Sequence, residues 1–267
     1  LGQPVLVENR AGANTIVAAE AVARSAPDGN MLFLASSSTL ALNTAGYRKL
    51  PYDALKDFAH VAKVVSNYHL IAARKGFAPN NIPETVALAK KKPGSVSYAS
   101  TGVGSPTHFA GLLMESMAGI KMLHVPYKGI ALVVNDLLGE TVDIAASAPS
   151  AVIPQIRAGK LKALAATSEK RLPQYPDVPS MWELGYTGFT TGAWYVLSVR
   201  AGTPEAILGR LNKDTNAALQ QPAIRKQLEA EAFSVDGDLT PAQTTRFVGE
   251  EIQKWGRIVR EANIQFD

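Results

Sequence analysis

The chain has 267 residues, of which 46% are hydrophobic and 19% charged. That is the composition of a folded globular protein long enough for two domains and excludes intrinsic disorder. Lys plus Arg number 27 against 23 for Asp plus Glu; this mild excess forms no basic tail or stripe, so no nucleic-acid partner is expected. Cysteine is absent, which removes thiolate nucleophiles, disulfides and cysteine-ligated zinc.

In chain order, short Val/Leu/Ile/Ala runs alternate with longer helical patterns. The strands are expected at 5–8, 31–35, 60–65, 69–73, 97–100, 122–125, 142–146, 163–166 and 195–199, and the helices at 15–25, 83–91, 106–118, 132–138, 150–158, 204–219 and 241–262. This alternation predicts an α/β fold with mostly parallel strands. Breakers fall between the elements: Pro27-Asp28-Gly29 and Pro93-Gly94 end helices, and Thr203-Pro204 and Thr240-Pro241 read as a cap followed by a first helical residue. Lys90-Lys91-Lys92 reads as a cationic helix end. Residues 172–192 contain three prolines and three glycines and read as a long irregular connection. No run of 18 apolar residues occurs, and the first residues lack the charged-then-apolar pattern of a signal peptide. Neither an anchor nor a signal is therefore expected within these residues, and the start without Met reads as a chain from which something upstream was removed.

No catalytic constellation emerges. The nucleophile elbow and the phosphate loop are absent, and Gly102-Val103-Gly104 fails the dinucleotide fingerprint because Thr107 stands at the third glycine. The four histidines, His60, His69, His108 and His124, lack metal-ligand spacing. No catalytic residue, metal or cofactor is expected.

Three strand-to-helix turns of small hydroxyl residues and glycine remain: Ser36-Ser37-Ser38-Thr39, Thr101-Gly102-Val103-Gly104-Ser105, and Ser147-Ala148-Pro149-Ser150. In a parallel sheet such turns gather at the carboxyl ends of strands, where ligands bind. Helix starts offer unpaired N–H groups to an anion, and glycine permits close approach. Each has a plainer reading beside it. Ser36, Ser37, Ser38 and Ser147 also serve as helix caps, His108 as a half-buried hydrogen-bonding residue, and Trp194 and Tyr195 as core rather than as a wall of the ligand site.

Residues 1–12 (LGQPVLVENRAG), 20–29 (EAVARSAPDG), 50–58 (LPYDALKDF), 98–108 (YASTGVGSPTH), 124–129 (HVPYKG), 136–143 (DLLGETVD), 159–168 (GKLKALAATS) and 176–179 (PDVP) together resemble the Bug family. Its members are the TctC-like extracytoplasmic solute-binding proteins of tripartite tricarboxylate transporters. The resemblance implies a two-domain type II periplasmic-binding-protein fold with a ligand cleft between the domains. Residues 1–76 and 197–267 would form domain one, and 77–196 domain two. It implies a small organic carboxylate as ligand, the transporter's membrane subunits as partner, a periplasmic location and a monomer. Family members grip the carboxylate with backbone N–H groups, hydroxyls and water. By residue, Thr101, Gly102, Val103, Gly104 and Ser105 match the second-domain ligand loop and Ser36–Ser38 a first-domain loop; His108, Ser147, Trp194 and Tyr195 complete the expected lining. Two departures matter. Members begin with a further strand, glycine-rich ligand loop and helix before the LGQP block; were that unit absent from the molecule, one sheet position in domain one would be unpaired and binding weakened. Where some members carry an Asp for a ligand ammonium, this chain has Ser147-Ala148. The alternatives to transport are a ligand sensor on the same fold and, less favoured by the residues, an enzyme using His108 or His124 as a base.

Overall fold

The computed structural model describes residues 4–10, 12–230, 233–235 and 237–261. The chain divides into two units, Leu1–Ser66 with Ala193–Asp267, and Asn67–Gly192. The boundaries thus lie at 66/67 and 192/193, against the expected 76/77 and 196/197. The cause is strand pairing: β3 (Leu70–Arg74) had been placed in domain one, but it is hydrogen-bonded between β6 (Ile144–Ser147) and β7 (Leu161–Ala166) of the second unit.

In the first unit, β1 (Phe33–Ser36), β8 (Gly192–Arg200), β2 (Phe58–Tyr68) and β9 (Ser234–Val235) form a sheet in the order β1-β8-β2-β9. Val61, Ala62, Val199 and Leu211 are buried together under α7 (Glu205–Leu219). The long helix α9 (Pro241–Glu261) buries Val248, Trp255, Ile258 and Val259, and starts with a reciprocal cap in which Gln243 N–H donates to Thr240 Oγ1 and Thr240 N–H to Gln243 Oε1. At α7 the expected Thr cap does not form, because Thr203 Oγ1 donates instead to the Arg200 carbonyl at 2.7 Å. Helix 241–262 was expected to include residue 262, which lies outside the described residues.

The second unit has a five-stranded sheet in the order β5 (Leu123–Pro126), β4 (Ser97–Ser100), β6, β3, β7. Helices α3 (Ile82–Lys91), α4 (Pro106–Ala118), α5 (Ile130–Leu138) and α6 (Pro149–Arg157) connect or flank these strands. Its core joins Leu70, Ala99, Val133, Leu137, Val142, Val152 and Ile153. The expectation of mostly parallel strands is corrected here. β4 runs parallel to β5 and β6, but β3 is antiparallel to β6 and β7, as β1 is to β8 and β2 to β9. Strands that carry the chain from one unit to the other run back against their neighbours, and local hydrophobicity does not encode that direction.

A smaller difference has a physical cause in the need of a strand for a partner. Residues 5–8 have the apolar pattern of a strand yet belong to no regular element, with Val5, Leu6 and Val7 60, 92 and 81% exposed. β1 has β8 on one side, and among the described residues no strand lies on its other edge. A strand without a ladder leaves its N–H and C=O groups to water. Conversely, α8 (Pro222–Ala230), α2 (Asn43–Gly46), the wide turn Ser38–Leu42 before α2, and the two-residue β9 were not foreseen. Among the described residues no helix is long and apolar enough to cross a membrane.

Candidate functional site

In the second unit, β4 ends at Ser100 and α4 begins at Pro106, and the five residues between them form the turn. Gly102 and Gly104 have φ of 121° and 78°, values that a side chain would oppose. Ser105 is the N-cap of α4 and accepts the His108 N–H at 3.2 Å. Its hydroxyl also donates to the Gly102 carbonyl at 2.7 Å and lies 2.9 Å from Thr107 Oγ1. Thr107 Oγ1 accepts the Thr101 N–H at 2.8 Å and lies 3.0 Å from Thr101 Oγ1. Thr101, Thr107 and Ser105 thus form one chain of hydroxyls at the positive end of a 13-residue helix. Val103, 63% exposed, stands at the tip.

The two glycine amides of this turn are engaged within it. Gly104 N–H donates to His108 Nδ1 at 3.2 Å and Gly102 N–H to Ser100 Oγ at 3.2 Å. Among the described residues, the Val103 and Thr107 amides are the ones in this turn left with no acceptor. Ser100 Oγ in turn lies 2.7 Å from His124 Nε2. The His108 and His124 rings stack at 4.1 Å between centroids, and Tyr98 stacks on the far side of His124 at 4.8 Å. Burial and, secondarily, the neighbouring His124 push the His108 pKa down to about 4; burial also lowers that of His124. Both rings are therefore neutral at pH 7, which leaves His108 Nδ1 free to accept.

In the first unit, Ser36 closes β1. Its Oγ lies 3.1 Å from Thr39 Oγ1, which lies 2.7 Å from Thr15 Oγ1. Thr15 and Ala13 have φ of 73° and 44° after Gly12 at 135°, a strained approach to α1 (Ile16–Ala23). Residue-type reasoning missed Thr15; the Gly-Ala-Asn-Thr stretch was its local signal. Ser37 is 3% exposed and its Oγ has no partner. Ser38 opens the wide turn that precedes α2. Tyr195, half-buried on β8, sits opposite Ser36 in the ladder and meets Phe233 edge-on at 6.2 Å. Ser36–Ser38 and Tyr195 are therefore brought together within this unit.

Trp194 is not exposed to any ligand surface of its unit. It is 6% exposed, its Nε1 donates to Glu251 Oε2 at 2.9 Å, and its ring meets Phe247 of α9 at 5.0 Å. Its plainer reading as core holds, because its side of β8 packs on α9. Ser147 ends β6 in the second unit, fully buried, with an unpartnered Oγ. Asp143, which precedes the other end of β6, is held by Arg74 Nε at 2.9 Å and by the Ser97 N–H and hydroxyl at 2.8 and 2.9 Å, and so does not offer a free carboxylate. Among the described residues no group of three His, Asp or Glu could hold a metal ion.

Comparison with known proteins adds three findings. Residues 1–264 match the family model described as tripartite tricarboxylate transporter family receptor. Protein BugT of Bordetella pertussis is 37% identical over 98% of this chain and 80% of its own length. Two solved Rhodopseudomonas palustris proteins share the fold. Rpa4515, solved with adipate, has a TM-score of 0.79 at 28% identity over 99% of this chain and 88% of that one. MatC, solved with bound malate, has a TM-score of 0.75 at 33% identity over 97% and 88%.

Proposed function

The chain belongs to the tripartite tricarboxylate transporter receptor family, and on that premise we propose that it captures a small organic carboxylate in the periplasm and hands it unchanged to the membrane subunits of such a transporter. The observation that carries this reading is the turn between β4 and α4. It combines a helix N-terminus, a chain of three hydroxyls and a free Val103 amide, with no charged side chain in it. Such a site suits an anion that must be released again. The structures with adipate and malate support a di-acid as the ligand class.

One helix terminus contributes up to about 2 kcal/mol, whereas micromolar binding needs about 8. Further donors are required; in the second unit we assign them to Thr101, Ser105 and the Val103 amide, and in the first unit Ser36, Ser37, Ser38 and Tyr195 form a candidate set of their own. Ser147 supplies a buried hydroxyl, and His108 acts from behind the loop. A ligand ammonium would lose hydration without finding a carboxylate, since Asp143 and Glu251 are both engaged. Hydroxy and plain di-acids are therefore favoured over amino acids.

A thermal-shift panel of malate, adipate, succinate and aspartate tests the reading, because a ligand that binds the folded state stabilises it by mass action. One or more of the first three should raise Tm by several degrees, and the ligand should be recovered chemically intact. No shift with any organic acid would contradict the proposal.

A further inference from the structure

We propose that His108 is the positioning residue of the Thr101–Ser105 loop, holding the conformation offered to the ligand by accepting the Gly104 amide at Nδ1. The inference rests on the carboxylate-binding reading of that loop, but its first test needs no ligand. His108 is the third residue of α4, after Pro106 and Thr107, with Ser105 as the cap. In an ordinary capping box the side chain at this position is Glu or Gln and reaches back to the cap residue's N–H. Here the imidazole reaches one residue further, to Gly104, while Ser105 Oγ accepts the His108 N–H at 3.2 Å.

What aims the ring is the stack. His124 lies parallel to His108 within 19° at 4.1 Å, and Tyr98 continues the column. His124 is itself fixed through Ser100, whose hydroxyl accepts the Gly102 N–H. Each glycine amide of the loop is thus tied to one of two stacked imidazoles, Gly104 directly and Gly102 through Ser100. Gly111 makes room for the column, because a Cβ there would fall within the Tyr98 ring. A mere packing role for His108 would need the ring but not its nitrogen, and that difference can be measured.

The groups that face His108 are His124 from β5 and Tyr98 from β4; Glu115, further along α4, acts on Tyr98 and accepts the Met122 N–H at 2.7 Å. Among the described residues no carboxylate lies against the imidazole to favour its protonation. A proton on Nδ1 would turn the acceptor into a donor facing the Gly104 N–H, so the loop contact is lost as pH falls through about 4.

The test is nitrogen-15 NMR of the ligand-free protein, followed by malate binding. His108 is expected in the Nε2–H tautomer with Nδ1 unprotonated; an Nδ1–H tautomer overturns the proposal without any variant. In His108→Phe, which keeps a ring and loses the acceptor, Gly104 amide exchange should quicken at least tenfold and malate affinity fall by a similar factor. His108→Asn, whose carbonyl replaces Nδ1, should restore most of both and remove the acid-side loss of affinity. Parent-like Gly104 protection in a folded His108→Phe protein overturns the proposal. If the parent binds neither malate nor any other organic acid, the carboxylate reading fails, and the tautomer and Gly104 exchange still decide the role of His108.

Discussion

Ser37 keeps a hydroxyl at 3% exposure with no hydrogen-bond partner, an arrangement that costs about 1–3 kcal/mol of desolvation. Ser37→Ala should therefore leave the ligand-free protein as stable or up to about 1 kcal/mol more stable, while weakening carboxylate binding several-fold. A drop in both Tm and affinity would instead mark Ser37 as a structural residue. Gly104→Val acts oppositely. With φ at 78° the new side chain forces the loop out of shape, and affinity should fall at least tenfold, or about 1.4 kcal/mol, with the rest of the unit folded; calorimetry on the folded variant reads this directly. At this scale the sequence was informative about residue types: hydroxyls and glycines at a strand end mark a turn able to hold an anion. It was silent about where the amides point, because what fixes their acceptors Ser100 and His108 is His124, which lies 24 residues beyond Ser100, and no local pattern encodes that contact. Trp194 illustrates the converse. An aromatic at a strand start fits core and ligand wall equally, and only α9 packing separates them.

Elements whose partners are local were the most legible. α3 is capped by Asn81, which accepts the Glu84 N–H at 2.9 Å, and ends with Lys90 and Lys91, as the cationic run suggests. Residues 5–8 failed because a strand is defined by its neighbour, and among the described residues none lies beside them. The packing of α4 on β4 gives the prediction for this scale. Gly111 lies against the Tyr98 ring, so Gly111→Ala is an overpacking change expected to cost about 1–3 kcal/mol. Chemical denaturation should show a lower midpoint with an unchanged slope. Because Tyr98 stacks on His124, the same variant should disturb the Gly104 amide, whereas Gly209→Ala in α7, whose Cβ would meet nothing within 4 Å, should leave that amide unmoved.

For the whole molecule, burial of histidine sets the acid limit of stability. His60, His69 and His108 are each buried enough to push their pKa down to about 4, whereas in the unfolded chain they titrate near 6.5. Above that pH both states are neutral and nothing is lost. As pH falls from about 6.5 to about 4, the unfolded chain takes up protons that the folded chain refuses, and stability declines by up to about 1.4 kcal/mol per pH unit for each group. Urea midpoints between pH 7.5 and 4.5 should fall accordingly; a flat profile would show that these imidazoles are solvated or paired. The two-unit plan was legible in outline, from the alternation of elements and the family blocks. The boundaries were not, since the run that became β3 is equally apolar whichever sheet receives it, and its pairing with β6 and β7 decided the matter.

The central claim is that a loop built from hydroxyls, backbone amides and neutral imidazoles takes a carboxylate that carries no ammonium. Isothermal titration calorimetry of the whole chain with malate, adipate, succinate and aspartate at pH 7 tests it most directly. At least one of the three plain or hydroxy di-acids should bind at micromolar concentration or tighter, and aspartate at least tenfold more weakly than that acid. Absence of heat with all four, or tighter binding of aspartate, would contradict it.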